Sequence, residues 1–174
     1  FDNLGDDAET AALEAKKRAE ELHDLINLPY PLQQSVFHCT ISIGVNLFWK
    51  ITQTAAKIIS NYDYKVHIDE IHHTQKLDAP SGTAISLAKG VIENSTYTSW
   101  TEETASENQI HIDAKRIENV PGTHSVYYSS DVDFIEIKHV AHNREGFALG
   151  SVLAAEWIQG KKGVFTMKDV LNLK

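Results

Sequence analysis

The residues best suited to chemistry in this sequence lie in one segment, from Glu70 to Ala84. Two adjacent histidines, His72 and His73, stand at the end of a predicted strand, where consecutive side chains point to opposite faces. The two need not share a role, and one can act as a proton donor near neutral pH. Lys76 follows closely and can neutralise a carboxylate or a developing negative charge. The segment therefore predicts acid catalysis next to a bound anion.

An anion site is predicted in the second half of the same segment. Ser81, Gly82 and Thr83 stand where a helix through Ile92 begins, capped by Ser81 or Thr83. Backbone N–H groups at a helix start favour an anion, helped by the helix dipole. The pattern predicts a small carboxylated ligand, although spacing alone does not separate a carboxylate site from a phosphate site. In the alternative interpretation, the histidines are sheet-edge residues, Lys76 is solvated and Ser81 is an ordinary cap.

The elements that position this segment indicate an α+β fold. Apolar and polar residues alternate from Tyr64 to Asp69, which predicts a half-buried strand leading into the histidines. We expect a mixed sheet of about four to five strands with helices packed on one face. The other strands are predicted near 110–117, 123–129 and 133–140. The helices are predicted from Gly44, from Phe147 to Ile158 and from Thr166 to Leu173, and a polar surface loop is predicted at 93–108. The core face of the helix from Gly44 is predicted to hold Val45, Phe48, Ile51, Ala55 and Ile58.

The first 38 residues are predicted to be a separate helical segment, and residues 39–174 the main domain. Asp7 to Ile26 is rich in Ala, Glu, Lys and Leu and has an amphipathic pattern. It is similar to an idealised, designed cap, so we expect an engineered chain. The alternative is a truncated or misassembled natural sequence.

Composition excludes several classes of protein. The chain has 174 residues, with 24 acidic residues against 16 Lys and Arg, for a net charge of −8. This balance predicts no nucleic-acid partner, which would need a basic face. No apolar run is long enough for a membrane span, and the single cysteine excludes a disulfide within the chain, so we expect a cytoplasmic protein without a membrane partner.

No metal site is predicted. His67, His72 and His73 are close in sequence, but His67 and His73 share a strand face from which His72 points away. No HExxH motif is present, and one cysteine cannot form a cysteine-based zinc site.

The segment from Glu70 to Ala84 resembles the signature of the 4-hydroxy-tetrahydrodipicolinate (dihydrodipicolinate) reductase family: an acidic residue before a histidine pair, then Lys, then Asp-Ala-Pro-Ser-Gly-Thr-Ala. Further similarity covers about Ser42 to Lys174. It includes the segments 42–46, 119–124, 143–148 and 163–171.

The resemblance implies an enzyme of lysine and diaminopimelate biosynthesis that reduces a cyclic dicarboxylate with NADH or NADPH. By similarity, His72 is the catalytic acid and Lys76 assists it and binds substrate. His73, Ser81, Gly82 and Thr83 are expected to hold a carboxylate, with Arg144 as a candidate for the other carboxylate. The family's matching domain is a mixed sheet with helices that assembles a tetramer, so we expect a homo-oligomer.

The chain departs from the family at its N-terminal side. Its nine glycines form no G-x-G-x-x-G turn, and the residues before Ser42 are too few for a nucleotide-binding domain. We therefore expect a substrate-binding domain that binds dicarboxylate, binds no NAD(P)H by itself and is inactive alone. The alternatives are an engineered or truncated oligomerisation module with relic site residues, and a working reductase completed by a separate nucleotide-binding chain.

Overall fold

The computed structural model describes residues 34–36 and 40–173, which form seven strands and four helices. The strands are β1 (Gln34–Val36), β2 (Lys65–His72), β3 (Ser99–Thr101), β4 (Gln109–Arg116), β5 (Thr123–Ser129), β6 (Phe134–Val140) and β7 (Gly163–Phe165). The helices are α1 (Ile43–Ile59), α2 (Gly82–Ile92), α3 (Glu145–Trp157) and α4 (Met167–Val170). The helix predicted for Asp7 to Ile26 lies outside the described residues, and the boundary after residue 38 stays a prediction.

The chain divides into two units, of which Gly44–Asn143 contains the main sheet. The strand order is β3-β4-β2-β5-β6. Strands β3, β4 and β2 are parallel to one another, β5 pairs antiparallel with β2, and β6 pairs antiparallel with β5. The predicted mixed sheet of four to five strands is therefore confirmed.

Strand β2 lies in the middle of this sheet, and its side chains alternate strictly in burial. Val66 and Ile68 point into the core, which they share with apolar residues of α1 and α2. The same alternation carries Glu70 and His72 onto the helix-covered side, because strand side chains repeat every two residues. The core face of β2 thus ends in two titratable side chains.

Helix α1 begins where it was predicted, but its buried face differs from the prediction in part. Val45 and Phe48 are buried as expected, whereas Ile51 and Ile58 are 55% and 60% exposed. The buried stripe continues instead through Trp49, Thr52 and Ala56. Apolar residues lie on more than one side of this helix, so periodicity alone placed its core face incorrectly.

The predicted surface loop of residues 93–108 contains a short strand. Strand β3 pairs in parallel with β4, matching Trp100 with Ile110. Trp100 is half-buried and packs against the core. A three-residue edge strand carries too little alternation to be recognised from sequence.

The other unit comprises Phe1–Ile43 and Arg144–Lys174. Strands β1 and β7 pair in parallel, and α3 and α4 share a small core around Ala154, Met167 and Val170. Both helices match predicted ones, whereas the pairing of β1 with β7 was not predicted. None of the described helices is long and apolar enough to cross a membrane.

Candidate functional site

The candidate site lies where β2 ends and α2 begins. Glu70 has no exposed surface and His72 is 8% exposed, on the core side of the strand. Ser81, also buried, is the N-cap residue of α2, and its hydroxyl accepts the N–H of Ala84 at 3.2 Å. The predicted cap and the predicted opposite orientation of the two histidines agree with this geometry, since His73 follows the buried His72 and is only half-buried.

The carboxylate of Glu70 organises the buried part of the site. Its two oxygens accept the backbone N–H of Ser81 at 3.0 and 3.1 Å. Oε1 also accepts a hydrogen bond from Nη2 of Arg116 at 3.1 Å. On the other side, Oε2 lies 3.5 Å from Nδ1 of His72 and 3.6 Å from Nε2 of His124. Two hydrogen-bond donors and two imidazole rings therefore surround one buried negative charge.

The pKa values of Glu70 and His72 are both lowered in this cluster. Burial alone raises the pKa of Glu70, but hydrogen bonds from His124 and Ser81, with the charge of His72, outweigh it and lower the value to about 2. Burial lowers the pKa of His72 to about 4, and His124 adds to this effect while Glu70 opposes it. At neutral pH, Glu70 is ionised and His72 is neutral.

The start of α2 presents two free backbone donors. Of the first N–H groups of this region, that of Ser81 is taken by Glu70 and that of Ala84 by the Ser81 hydroxyl. In the part of the chain that the structure describes, the N–H groups of Gly82 and Thr83 have no protein acceptor. Nothing lies within 4 Å of a Cβ built on Gly82, so this helix start is open. An anion there would meet two N–H groups and the positive end of the helix dipole.

The loop between β2 and α2 carries Lys76. Its ammonium group donates to both oxygens of Asp78, at 2.7 and 2.8 Å, and this bond lowers the pKa of Asp78. Arg116 braces the loop by donating to the backbone carbonyls of Lys76 and Asp78. The ammonium group of Lys76 is therefore held by a carboxylate of the loop that leads to α2.

Gly122 lies against the edge of the His72 ring that carries Nε2. A Cβ added to Gly122 would lie 3.2 Å from Nε2 of His72. That contact is tighter than a comfortable van der Waals distance, so a side chain at this position would crowd the nitrogen. Of the two ring nitrogens, Nδ1 thus faces Glu70 and Nε2 faces the glycine loop.

Most of the predicted site residues belong to this region of the larger unit. His72, Ser81, Gly82 and Thr83 lie at the end of β2 and the start of α2, with Lys76 and His73 in the intervening loop. Arg144 belongs to the other unit, where it directly precedes α3, and its role stays a prediction.

Three contributors were not predicted: Glu70, Arg116 and His124. The place of Glu70 in the site could have been predicted, because it stands two residues before His72 in a strand and must share its face. Arg116 and His124 depend on strand register, which pairs His72 with Arg116 and Glu70 with His124. The sequence contains no local signal for those pairs.

One group of side chains has the spacing of a metal site. Donor atoms of Glu70, His72 and His124 lie within 4.8 Å of one another. The carboxylate already accepts the Ser81 N–H and the positive guanidinium of Arg116, an arrangement that disfavours a further cation. His67, considered in the sequence, pairs instead with Asp69. The surroundings of Glu70, His72 and His124 therefore suit hydrogen bonding and proton transfer better than metal binding.

Comparison with known proteins places this site in a family. The model of "Dihydrodipicolinate reductase, C-terminus" matches residues 44–171. The 4-hydroxy-tetrahydrodipicolinate reductase of Christiangramia forsetii is 52% identical over 139 residues, which cover 79% of this chain and 58% of the relative. That of Archaeoglobus fulgidus is 36% identical over 169 residues, covering 91% of this chain and 62% of the relative.

A solved structure agrees with these sequence matches. The dipicolinate-bound dihydrodipicolinate reductase of Paenisporosarcina sp. TG-14 is 25% identical, with a TM-score of 0.61 over 75% of this chain and 52% of that chain. The chain thus spans a little over half the length of the relatives it matches. By the family match to most of its length, the chain belongs to the dihydrodipicolinate reductase family and contains that family's C-terminal domain.

Proposed function

We propose that this chain binds a cyclic dicarboxylate and supplies the substrate-binding half of a 4-hydroxy-tetrahydrodipicolinate reductase. The observation that carries the proposal is the open start of α2, where the N–H groups of Gly82 and Thr83 are free of protein acceptors. His72 ends β2 and Lys76 lies in the loop between β2 and α2, so the same strand–loop–helix segment supplies an acid, a cation and the helix start. The dipicolinate in the related solved structure is a ligand of the chemical class that this arrangement fits.

In the proposed complex, one ligand carboxylate accepts the N–H groups of Gly82 and Thr83 and pairs with Lys76. The ligand then replaces Asp78 at the ammonium group, exchanging one carboxylate for another. The Thr83 hydroxyl and His73 are further candidates for this carboxylate, and Arg144 for the second one.

In the proposed reaction, His72 supplies the proton that completes the reduction, and a bound NADH or NADPH would supply the hydride. The accessible nitrogen Nε2 is the atom from which the proton leaves. Whether this chain catalyses the reduction alone, or only with a separate nucleotide-binding chain, is tested by an assay of NAD(P)H oxidation.

Binding is tested by adding dipicolinate (pyridine-2,6-dicarboxylate) and measuring the melting temperature. A ligand at one hundred times its Kd stabilises the folded state by about 2.7 kcal/mol, which shifts the melting temperature of a protein this size by several degrees. Pyridine-2-carboxylate, with one carboxylate, should give a smaller shift. The absence of any shift at millimolar dipicolinate would overturn the proposal.

Two lysine variants locate the binding. Lys76→Ala should abolish the dipicolinate shift, because it removes the cation beside the anion cradle. Lys89→Ala is the matched control, since Lys89 is exposed near the other end of α2. An equal shift in both variants would place the ligand elsewhere.

Self-assembly is a second candidate function. Strand β6 is an edge of the five-stranded sheet and exposes Phe134, Ile135 and Val140. An exposed, apolar edge strand favours pairing with another chain. Native mass measurement tests this proposal: a monomer at micromolar concentration would contradict it, and an oligomer that ignores dipicolinate would favour assembly over ligand binding.

A further inference from the structure

We propose that Glu70 is a positioning residue that fixes the ring orientation and tautomer of His72, so that Nδ1 carries the hydrogen and Nε2 faces the ligand. This inference rests on the proposed function, in which Nε2 of His72 delivers a proton to a bound dicarboxylate. Its test in the ligand-free protein does not depend on binding.

The orientation follows from the strand. Glu70 and His72 are two residues apart on the buried face of β2, so their side chains lie side by side. Nδ1 of His72 is buried, and the carboxylate oxygen Oε2 of Glu70, 3.5 Å away, faces it. The ring also contacts His124 edge to face, with centroids 4.9 Å apart. Packing against His124 and the charge of Glu70 therefore both restrict the orientation of the His72 ring.

The tautomer follows from the charge of Glu70. An ionised carboxylate attracts an N–H group and repels a nitrogen lone pair, so a neutral His72 carries its hydrogen on Nδ1. The spacing of 3.5 Å is long for a hydrogen bond, as is common in empty active sites whose bonds tighten when ligand binds. The lone pair is left on Nε2, beside Gly122.

The proton balance of this arrangement is simple. A proton taken up at Nε2 makes His72 an imidazolium, and transfer of that proton to the ligand restores the neutral ring with its hydrogen still on Nδ1. No electrons are exchanged in this step. Glu70 stays ionised throughout and stabilises the imidazolium, as a carboxylate behind a histidine does in other enzymes.

The same carboxylate also has a structural role, which must be separated from the proposed one. Glu70 accepts the Ser81 N–H and the guanidinium of Arg116, so its truncation would disturb the loop as well as His72. Glu70→Gln preserves size. Its carbonyl oxygen is expected to take the Oε1 position, because Arg116 and Ser81 both donate there. The amide NH2 group then faces His72, and a donor in that position favours a lone pair on Nδ1.

The experiment is a long-range 1H–15N correlation spectrum of the histidine rings at pH 7, with His72 assigned by His72→Gln. In wild-type protein, His72 should be predominantly the Nδ1–H tautomer. In Glu70→Gln it should be predominantly the Nε2–H tautomer. Two variants serve as controls that should keep the wild-type tautomer. Arg116→Gln loosens the loop but leaves Glu70 charged, and Glu136→Gln removes a sheet carboxylate that accepts a serine hydroxyl.

Each result of the tautomer measurement either supports or overturns the role proposed for Glu70. A wild-type spectrum of the Nε2–H tautomer would overturn it even if Glu70→Gln failed to fold. An unchanged tautomer in folded Glu70→Gln, or the same reversal in Arg116→Gln, would reduce Glu70 to a structural residue. Dipicolinate binding is measured separately on the wild-type protein. If the tautomers behave as expected and dipicolinate does not bind, the proposed function fails while the assignment of Glu70 stands.

Discussion

Both carboxylate oxygens of Glu70 lie within hydrogen-bonding distance of the backbone nitrogen of Ser81, at 3.0 and 3.1 Å. This contact joins the end of β2 to the start of α2 across the loop that carries Lys76. It also removes the Ser81 N–H from the donors available at the helix start, leaving those of Gly82 and Thr83 to face outward. A buried charge thereby shapes the proposed anion site without being one of its donors.

Loss of the Ser81 cap should destabilise the protein. Ser81→Ala removes the hydroxyl that accepts the Ala84 N–H, and loss of a serine cap costs about 1 kcal/mol. Because Ser81 is buried, the substitution also leaves His124 without its hydroxyl partner. Urea unfolding measures the change. Ser60→Ala, which removes an exposed hydroxyl bonded to a backbone carbonyl, should stay within about 0.5 kcal/mol of wild type. Equal effects would contradict the role of the cap.

Acid should destabilise the protein in two separate pH ranges. The pKa of His72 falls from 6.5 to about 4 on folding, so the unfolded chain binds the proton first and stability declines as pH falls from 6.5 to 4. The pKa of Glu70 falls from 4.5 to about 2, so its contribution is present above pH 4.5 and declines toward pH 2. Each shift corresponds to roughly 3 kcal/mol.

Single substitutions test which side chain is responsible for the loss of stability in each pH range. Unfolding free energies measured from pH 8 to 3 should decline less between 6.5 and 4 in His72→Gln, where the lowered pKa of His139 still contributes. His142→Gln, whose side chain is exposed, should keep the full decline. Glu70→Gln should flatten the decline at lower pH. A His72→Gln curve parallel to that of wild type would show that the shifted pKa has been assigned to the wrong group.

Dicarboxylate binding should take up a proton. His72 is neutral in the empty site because of burial, with further lowering of its pKa by His124, Lys76 and Arg116. A dianionic ligand offsets these positive groups and raises the pKa of His72, so the complex holds more protons than the free protein. Affinity should therefore rise as pH falls from 8 to 6, by at most about tenfold per pH unit for one proton.

Calorimetry in two buffers of different ionisation enthalpy measures this proton directly. His72→Gln should bind dipicolinate with no proton uptake and with a flat pH dependence. If wild-type binding were also independent of buffer, His72 would not be protonated in the complex.

Gly146 and Gly150 both lie in α3, but close packing predicts that alanine at the two positions has different effects on stability. A Cβ on Gly150 of α3 would overlap the backbone carbonyl of Ile41, whereas a Cβ on Gly146 would lie 3.7 Å from the Ser42 hydroxyl. Gly150→Ala should therefore destabilise the protein by about 1–3 kcal/mol, despite the better helix propensity of alanine. Gly146→Ala should be neutral or slightly stabilising. Thermal unfolding of both variants tests this, and a stable Gly150→Ala would contradict the packing of α3 on Ile41.

The sequence predicted those features that depend on neighbours along the chain. The cap at Ser81, the opposite faces of His72 and His73 and the start of α1 all follow from local spacing. The exposure of Ile51 could not be predicted, because α1 has apolar residues on more than one side and tertiary packing selects which are buried.

The cluster around Glu70 was missed for a different reason. Arg116 and His124 reach the carboxylate only through the register of β2 with β4 and β5, which joins residues far apart in sequence. The segment from Glu70 to Ala84 contains one part of the site, and the pairing of β2 with β4 and β5 brings in Arg116 and His124. Strand β3 was missed in a similar way, because its identity depends on pairing with β4.

The most direct test of the account is a titration of 15N-labelled protein with dipicolinate, followed by backbone amide chemical shifts. We predict that the largest changes occur at Gly82 and Thr83, whose N–H groups would donate to the ligand carboxylate, and that Lys76→Ala removes them. Unchanged amides at millimolar dipicolinate, or the largest changes at the start of α3 around Gly146, would contradict the assignment of the start of α2 as the dicarboxylate site.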